Sequence, residues 1–290
     1  GDFKKYQVYK REPLQVSYRN SSILMNPPPA SGGLLIAFAL KLLEPVNLGQ
    51  YQFGSSLYLN LLSHIHKYTE KARIDIYDER PDSDLKEKIL NPEYLDLYLK
   101  EIKSKAEFNR GTTHISIIDS KGNMAALTTS NGEGSGLIIP GTGVMLNNML
   151  GEEDLHPRGF HKWLPDQRMT SMMAPGILKL KNGTSIVFGS GGSKRIRTAL
   201  LQLLVNLIDF RMPLDQAINS PRIHYEDGLL NIENGFSDAE LSSLLKRYPN
   251  HKIWKNKSLF FGGINAVCHS PAGYSGFGDP RRGGVSVILN

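Results

Sequence analysis

The chain has 290 residues, of which 40% are hydrophobic and 21% are charged, as in an ordinary globular protein. Its 34 basic and 28 acidic residues give a net charge of +6. They form no block of five like charges, which argues against a basic groove for nucleic acid. The longest apolar run, at residues 34–43, is interrupted by Lys41 and is far shorter than the ~20 residues of a membrane span. We expect a soluble protein with neither a signal peptide nor a membrane anchor.

The first part of the chain predicts mostly helices. Residues 16–25 suggest a strand, which must end at Asn26-Pro27-Pro28-Pro29 because proline fits neither a helix interior nor a central strand. Apolar residues then recur with helical spacing. Helices are expected at residues 34–43, 55–71, 84–90 and 92–102.

Beyond Gly111 the pattern changes to short alternating segments separated by glycine. One strong helix, at residues 195–210, interrupts them. A helix-rich part followed by a strand-rich part that shares its active centre fits a layered α+β fold. Strands are expected at residues 114–119, 124–130, 137–140, 176–181, 185–188, 262–268 and 284–289.

A predicted hairpin gathers hydroxyl and amide side chains. The sequence Ser120-Lys121-Gly122-Asn123 is a good turn between two strands. If Asp119 lies opposite Met124, Thr112 lies opposite Asn131, with Thr129 one diagonal away on the face of Asn131. Because threonine favours sheets in any case, the pattern by itself favours a plain threonine-rich strand surface.

Five segments of the chain resemble the gamma-glutamyltransferase (glutathione hydrolase) family, in the family's order. Residues 27–33 are similar to its proline motif as well. The resemblance covers nearly the whole chain. The five segments are GTTHISIID at residues 111–119, PGTGVMLNNM at 140–149, MAP at 173–175, GSGG at 189–192 and DPRRGG at 279–284.

The resemblance implies an N-terminal nucleophile hydrolase, a four-layer αββα sandwich made as a precursor and cut into two subunits. Residues 1–111 would be the C-terminal part of the large-subunit region, and residues 112–290 the small-subunit region. The fold is expected to be incomplete, because the match begins partway through the large subunit. The arginine that binds the γ-glutamyl carboxylate in this family would lie upstream, so no residue is assigned to that role.

By this resemblance, the chain cleaves itself between Gly111 and Thr112. The Thr112 hydroxyl would attack the carbonyl of Gly111, and hydrolysis of the resulting ester would leave Thr112 as a new N-terminus. The branched Cβ of threonine restricts χ1 and holds the hydroxyl in place. The new α-amino group, with an ordinary pKa of about 7.7–8.0, can act as the general base. Thr129 and Asn131 would orient the nucleophile.

Gly191 and Gly192 are the candidate oxyanion donors. They follow a predicted strand and precede the helix that starts near Arg195, where backbone N–H groups can point at developing negative charge. A phosphate-binding loop is a poorer match, because neither the dinucleotide nor the Walker pattern is met. A plain glycine turn remains open.

By the same resemblance, an acid after Asn147-Asn148 binds the α-amino group of a γ-glutamyl donor, and a serine near Met173 binds its α-carboxylate. Glu152 is the closest match to the acid, although a solvated acidic turn at residues 152–154 would explain it too. Ser171 matches the serine, and Met172 stands where the family often has a second serine.

The sequence predicts no metal and no cofactor. His156 and His161 lie in a loop-like segment without a third ligand at a recognisable spacing, and His64 and His66 would point to different faces of a helix. Cys268 is the single cysteine, which excludes an internal disulfide, and it is expected in a buried strand. Residues 155–167 could form a cover over the site.

The predicted function is therefore a gamma-glutamyl hydrolase or transferase acting on glutathione-like molecules, with water, an amino acid or a peptide as acceptor. We expect a half-sandwich to pair with the rest of the large subunit or with another protomer. Two alternatives stay open. One is another N-terminal nucleophile amidase or acylase, and the other is a non-catalytic homologue that serves as a binding or assembly module.

Overall fold

The computed structural model describes residues 5–78, 90–91, 111–152, 155–156, 160, 163 and 168–289. The predicted helices at 84–90 and 92–102, and most of the predicted cover at 155–167, lie outside these residues. None of the helices in the described ranges has both the length and the apolar character of a transmembrane segment.

The largest element is a six-stranded sheet in the order β1-β2-β5-β6-β10-β11, in which all neighbours are antiparallel. Two of its strands come from the first 111 residues and four from the rest, so both regions of the chain build one sheet. Its strands are Leu14–Tyr18 (β1), Ser21–Met25 (β2), Gly176–Lys179 (β5), Ser185–Gly191 (β6), Gly263–Ser270 (β10) and Gly273–Gly278 (β11).

Helices cover one face of this sheet. Helix α3 packs on β6, and α1 packs against both α2 and α3. Buried side chains from both regions join these helices and the sheet into one hydrophobic core. In the described residues the α-helices are Gly32–Leu43 (α1), Ser56–Asp78 (α2), Arg195–Ile208 (α3), Leu214–Asn219 (α4) and Asp238–Arg247 (α5).

A hairpin of Gly111–Ile118 (β3) and Met124–Gly132 (β4) covers the other face. Both strands pack against β6, and β3 also packs against β10. The outer face of the hairpin is exposed and apolar, with Ile115, Ile117 and Leu127 between 47% and 58% accessible. The described residues thus form the layers α, β and β of the predicted sandwich, and the mixed fold class is confirmed.

A small sheet of Ile223–Glu226 (β7), Leu229–Glu233 (β8) and His251–Trp254 (β9) lies beside α2. The sequence pattern does not predict this sheet, because buried polar residues such as His224 and Glu226 interrupt the apolar alternation on which strand prediction depends. Strand β11 is not predicted either, since glycines occupy three of its six positions.

Three predicted strands are corrected. Residues 16–25 form the hairpin β1–β2 instead of one strand, because Arg19 and Asn20 both adopt positive φ and make a tight turn. Residues 137–140 form a single bridge between Ile138 and Met145. Residues 284–289 form no strand, and their apolar side chains are exposed.

Candidate active site

The site is built around Thr112, the second residue of β3. Its side chain is half-buried on the inner face of the hairpin, and its hydroxyl donates a hydrogen bond to Ser130 Oγ at 3.2 Å. Ser130 lies on β4 and also accepts a hydrogen bond from the N–H of Gly132 at 3.0 Å. Two hydroxyl groups from neighbouring strands therefore meet at the place where the sequence predicts the nucleophile.

The predicted register of the hairpin is off by one residue along most of its length. Ile118, instead of Asp119, lies opposite Met124, because Asp119 belongs to the turn and accepts hydrogen bonds from the N–H groups of Lys121 and Asn123. An irregularity between Gly111 and Thr113 restores the predicted register only at the end of the hairpin.

The shift decides which β4 side chain reaches Thr112. Thr129 pairs with Thr113 on the exposed outer face, and the exposed Asn131 follows the same alternation. Their predicted shared face is confirmed, but it is the face opposite to the Thr112 hydroxyl. The predicted grouping of Thr129 with Thr112 is therefore wrong, and Ser130 takes that place.

Gly191 brings the second half of the site against Thr112. A Cβ atom on Gly191 would overlap the carbonyl oxygen of Thr112, so only glycine allows this approach. Gly192 follows with a φ of +139°, and a Cβ there would lie 2.8 Å from Gly262 Cα. Helix α3 starts three residues later, at Arg195. Gly191 is the last residue of β6 and Gly192 follows it, so both glycines lie at the predicted junction of a strand end and a helix start.

His114 fixes β3 onto the six-stranded sheet. Its buried ring bonds Thr128 Oγ1 through Nδ1 at 2.7 Å and Ser116 Oγ through Nε2 at 2.8 Å. Ser116 Oγ donates to the carbonyl of Asn265 on β10 at 3.2 Å. Burial lowers the pKa of His114 to about 4, so the ring is neutral near pH 7. This network holds the strand that carries Thr112.

Glu152 lies close to the end of β4. It is 6% exposed, and a Cβ on Gly132 would overlap its Oε1 and also Asn148 Oδ1. Asn148 ties this loop down, since its Oδ1 accepts from the N–H groups of Glu133 and Gly134. Glu152 is thus a buried carboxylate beside Gly132, which follows Ser130 by two residues, and is not part of a solvated turn. The described residues do not include Glu153 and Asp154.

Ser171 and Met172 are held by the proline segment. The carbonyl of Ser171 accepts hydrogen bonds from the N–H and the hydroxyl of Ser31, at 2.9 and 3.2 Å. Met172 is 3% exposed and belongs to the core. Both residues contact Ser31 at the start of α1, and their roles in binding a carboxylate stay predictions.

The histidines considered as metal ligands and Cys268 lie away from Thr112 in the sequence, and the structure describes most of them. His156 accepts a hydrogen bond from Trp163 Nε1 at 3.0 Å, while His161 lies outside the described residues. His66 is buried on α2 and His64 is half-buried, as expected for two different faces. Cys268 is 8% exposed on β10, which confirms a buried strand position.

Comparison with known proteins gives a family match over residues 1–289, to gamma-glutamyltranspeptidase. An acylase ACY 1 proenzyme from Pseudomonas sp. (strain SE83) is 34% identical over 100% of this chain and 54% of its own length. A glutathione hydrolase proenzyme from Escherichia coli is 28% identical over 97% of this chain and 53% of its own. The chain therefore spans about half the length of these relatives.

Solved structures agree with this match. Cephalosporin acylase from Bacillus halodurans has a TM-score of 0.77 and 21% identity, over 96% of this chain and 53% of its own. The transpeptidase CapD of Bacillus anthracis has a TM-score of 0.50 and 29% identity, with 61% of this chain covering 99% of that one. Because the family match covers residues 1–289 and the fold agrees with it, the chain belongs to the gamma-glutamyltranspeptidase family.

Proposed function

We propose that this chain carries the nucleophile of a self-maturing acyl-transfer enzyme. The observation that carries the proposal is the close approach of Gly191 to Thr112, which puts candidate oxyanion donors beside a candidate nucleophile. In maturation, the Thr112 hydroxyl adds to the carbonyl of Gly111 and the peptide C–N bond breaks. Water then hydrolyses the ester, which leaves a carboxylate on Gly111 and a free amine on Thr112.

The size of a related chain supports a cut at this place. About 61% of the present chain covers 99% of the CapD chain. Residues 112–290 are 179 residues, or about 62% of the 290 in the sequence. A cut before Thr112 would therefore release a fragment with the length of a chain that occurs separately in a relative. The word proenzyme in the names of both sequence relatives agrees with maturation by cleavage.

In the mature site, the Thr112 amine accepts the proton of its own hydroxyl as Oγ1 attacks the substrate amide. Gly191 and Gly192 donate backbone hydrogen bonds to the tetrahedral oxyanion, each worth about 2.7–4 kcal/mol in comparable sites. The amine returns the proton to the leaving nitrogen, and an ester on Thr112 remains. Water or an acceptor amine then attacks the ester, which restores the free hydroxyl. Ser130 orients Oγ1 throughout.

The substrate that fits best is a γ-glutamyl amide such as glutathione. A γ-glutamyl donor carries a free α-ammonium group, which needs a carboxylate near the nucleophile. Glu152 supplies a buried one beside Gly132, at the end of the strand that holds Ser130. A buried carboxylate gains most by pairing with a ligand cation. Ser171 and Met172 are proposed to lie at the α-carboxylate of the donor, which is on the same carbon as the α-ammonium group.

Hydrolysis of a different acyl amide is the second candidate. It is favoured by the 34% identity to an acylase proenzyme, against 28% to the glutathione hydrolase. An acylase would use the same Thr112 chemistry with another acyl group. Turnover of glutathione, set against turnover of amides that lack the α-ammonium group, separates the two.

We propose that the rest of a longer protein covers the outer face of β3–β4. The chain spans 54% of an acylase proenzyme, and Ile115, Ile117 and Leu127 form an exposed apolar face on this hairpin. Contiguous apolar surface of this kind is typical of a contact with another protein segment.

The test compares the wild type with Thr112→Ala and Thr112→Ser by intact mass and by hydrolysis of γ-glutamyl amides. The wild type is expected to split between residues 111 and 112 and to release glutamate from glutathione. Thr112→Ala should stay whole and inactive, whereas Thr112→Ser keeps a hydroxyl and should split slowly. A wild type that stays whole would refute maturation. A wild type that splits but acts only on other amides would favour the acylase, and one that splits and hydrolyses nothing would favour a binding module.

A further inference from the structure

Charged side chains surround the first turn of α3, and the proposed chemistry does not use them. They are three carboxylates and three cations, which we call the helix-start cluster. Carboxylate oxygens of its three acids all lie within 4.8 Å of one another. The cluster consists of Glu70, Arg73, Lys194, Arg197, Glu226 and Asp227.

Each acid of the cluster faces a cation. Lys194 Nζ pairs with Glu226 Oε1 and lies 3.7 Å from Asp227 Oδ2. Arg197 pairs with Glu70 Oε2, and Arg73 holds Glu70 Oε1 at 3.0 Å. Salt bridges with Arg197 and Arg73 hold the pKa of Glu70 below its ordinary value in spite of burial. The cluster is therefore an ionised, internally neutral network.

Two other roles for the cluster, as a metal site and as a source of stability, are poorly supported. Three close carboxylates could bind a divalent cation, but Lys194 and the two arginines already balance their charge. The cluster is also a poor source of stability, because a buried ion network often contributes no more than apolar residues of the same volume. What such a network does supply is a fixed geometry, since removal of one partner leaves a buried charge uncompensated.

The start of α3 is an unusual place for cations. The positive end of a helix dipole disfavours them by about 0.3–1 kcal/mol each. Nevertheless the first turn has no acid, contains Arg195 and Arg197, and directly follows Lys194. Lys194 and Arg197 turn to the acids of the cluster, and Arg195 Nε donates to the carbonyl of Phe260 at 3.0 Å. The three cations therefore make contacts that anchor the start of α3.

The anchored turn is continuous with the candidate oxyanion loop. Lys194 follows Gly192 by two residues, and Ser193 between them has a positive φ of 53°. The N–H of Arg195 donates to the carbonyl of Gly192 at 3.0 Å, and the N–H of Ile196 donates to that of Ser193 at 3.0 Å. A shift of Lys194 would therefore move the peptide groups of Gly191 and Gly192.

We propose that Lys194 is a positioning residue for the oxyanion donors. Its ion pairs with Glu226 and Asp227 hold the first turn of α3, and this turn holds Gly191 and Gly192 in the orientation that a tetrahedral intermediate needs. The inference rests on the proposed function. Lys194 touches no substrate and exchanges no proton in this role.

The cluster also crosses the proposed cleavage site. Glu70 and Arg73 lie on α2, before Gly111, whereas Lys194, Arg197 and Glu226 follow Thr112. After maturation, the pair between Glu70 and Arg197 would join two separate chains at a buried contact. The same network would then hold both chains in a fixed position relative to the candidate oxyanion loop.

The experiment uses the purified protein as it matures, with Lys194→Met, which keeps the length of the side chain and removes its charge. We expect kcat to fall by about 10-fold or more with KM changed by less than about 2-fold, because misplaced donors act on the transition state. Lys194→Arg should recover much of the rate. Lys246→Met, a charge removal on the exposed side of α5, is the control and should match the wild type.

A second measurement is independent of turnover. Amide hydrogen exchange of residues 191–196 should quicken in Lys194→Met and stay at the wild-type rate in Lys246→Met. A wild-type kcat together with unchanged exchange in Lys194→Met would overturn the inference and leave the proposed function intact. If the wild type proves inactive, the proposed function fails and the exchange result alone decides. Glu226→Gln combined with Lys194→Met should lower kcat no more than the more damaging single change does. Additive losses of kcat would also contradict the inference.

Discussion

At the scale of single residues, the proposed chemistry depends on two hydroxyl groups that lie 3.2 Å apart. Thr112 donates to Ser130, so a lone pair of Thr112 Oγ1 stays available to attack a carbonyl carbon. Ser130 is itself held by the N–H of Gly132. The orientation of the nucleophile is therefore set by the neighbouring strand as well as by its own χ1 preference.

Replacement of Ser130 tests this arrangement. Ser130→Ala removes one hydrogen bond, which is worth about 0.5–1.5 kcal/mol, and should lower kcat by up to about 10-fold. Ser130→Thr keeps the hydroxyl and should retain most of the activity. Thr129→Ala is the matched control, because Thr129 faces outward and should leave the rate of γ-glutamyl amide hydrolysis unchanged. If Thr129→Ala is as damaging as Ser130→Ala, the observed register is not the one that operates in the enzyme.

Which hydroxyl faces Thr112 could not be predicted from the sequence. A shift of one residue in register exchanges the two faces of a strand, and here the register depends on how many residues the turn takes. Asp119 looks like a strand residue in the alternating pattern, but its carboxylate bonds the backbone of the turn. By contrast, the approach of Thr112 to Gly191 followed from recognising both motifs together, since sequence separation alone gives no distance between them.

At the scale of elements, the hairpin and β6 must come unusually close for the site to form. Gly191 makes this possible by the absence of a side chain. Gly191→Ala should push the hairpin off the sheet, because the atom it meets belongs to the backbone of Thr112 and has little freedom to move. We expect a loss of about 1–3 kcal/mol in the free energy of unfolding, as for other overpacked sites, together with loss of self-cleavage.

Urea unfolding and intact mass measure both effects of Gly191→Ala. Gly151→Ala serves as the control for stability, because a Cβ there meets no atom within 4 Å. A Gly191→Ala protein that is as stable as the wild type and still cleaves itself would mean that β3 and β6 are separated in solution.

The elements themselves were predictable where one physical pattern dominates. Helix α3 and strand β6 are continuously buried and rich in apolar residues, and their expected limits are close to the observed ones. The prediction failed where burial is polar, as at His224 in β7, or where a tight turn divides an apolar run, as at Arg19 and Asn20. In the latter case, Asp209 and three backbone carbonyls bind the Arg19 side chain and support its positive φ. Those partners are distant in sequence, so no local pattern reveals them.

At the scale of the whole molecule, buried neutral histidines connect the layers. His114 lies between the hairpin and the sheet, His224 joins β7 to α3 through Thr198, and His66 is buried on α2. Burial lowers the pKa of His114 and of His224 to about 4, and that of His66 well below its ordinary value. In the unfolded chain each would titrate near 6.5.

The sign of the resulting pH dependence follows from proton binding. Between about pH 6.5 and pH 4 the unfolded chain holds protons that the folded histidines do not, so stability falls as the pH falls through this range. Each histidine with a folded pKa of about 4 should cost about 2 kcal/mol between pH 7.5 and pH 5. Asp227 opposes this trend, because burial raises its pKa to about 6 and its protonation favours the folded state.

His114→Gln isolates the contribution of His114, on β3, to this pH dependence of stability. Glutamine keeps a donor and an acceptor but does not titrate, so the variant should be less stable at pH 7.5 and yet lose about 2 kcal/mol less than the wild type on going to pH 5. Urea unfolding at the two pH values measures this difference directly. An equal loss in both proteins would mean that the His114 ring is protonated, or reached by water, in the folded state. The hairpin would then be held to the sheet by something other than a dry, neutral imidazole.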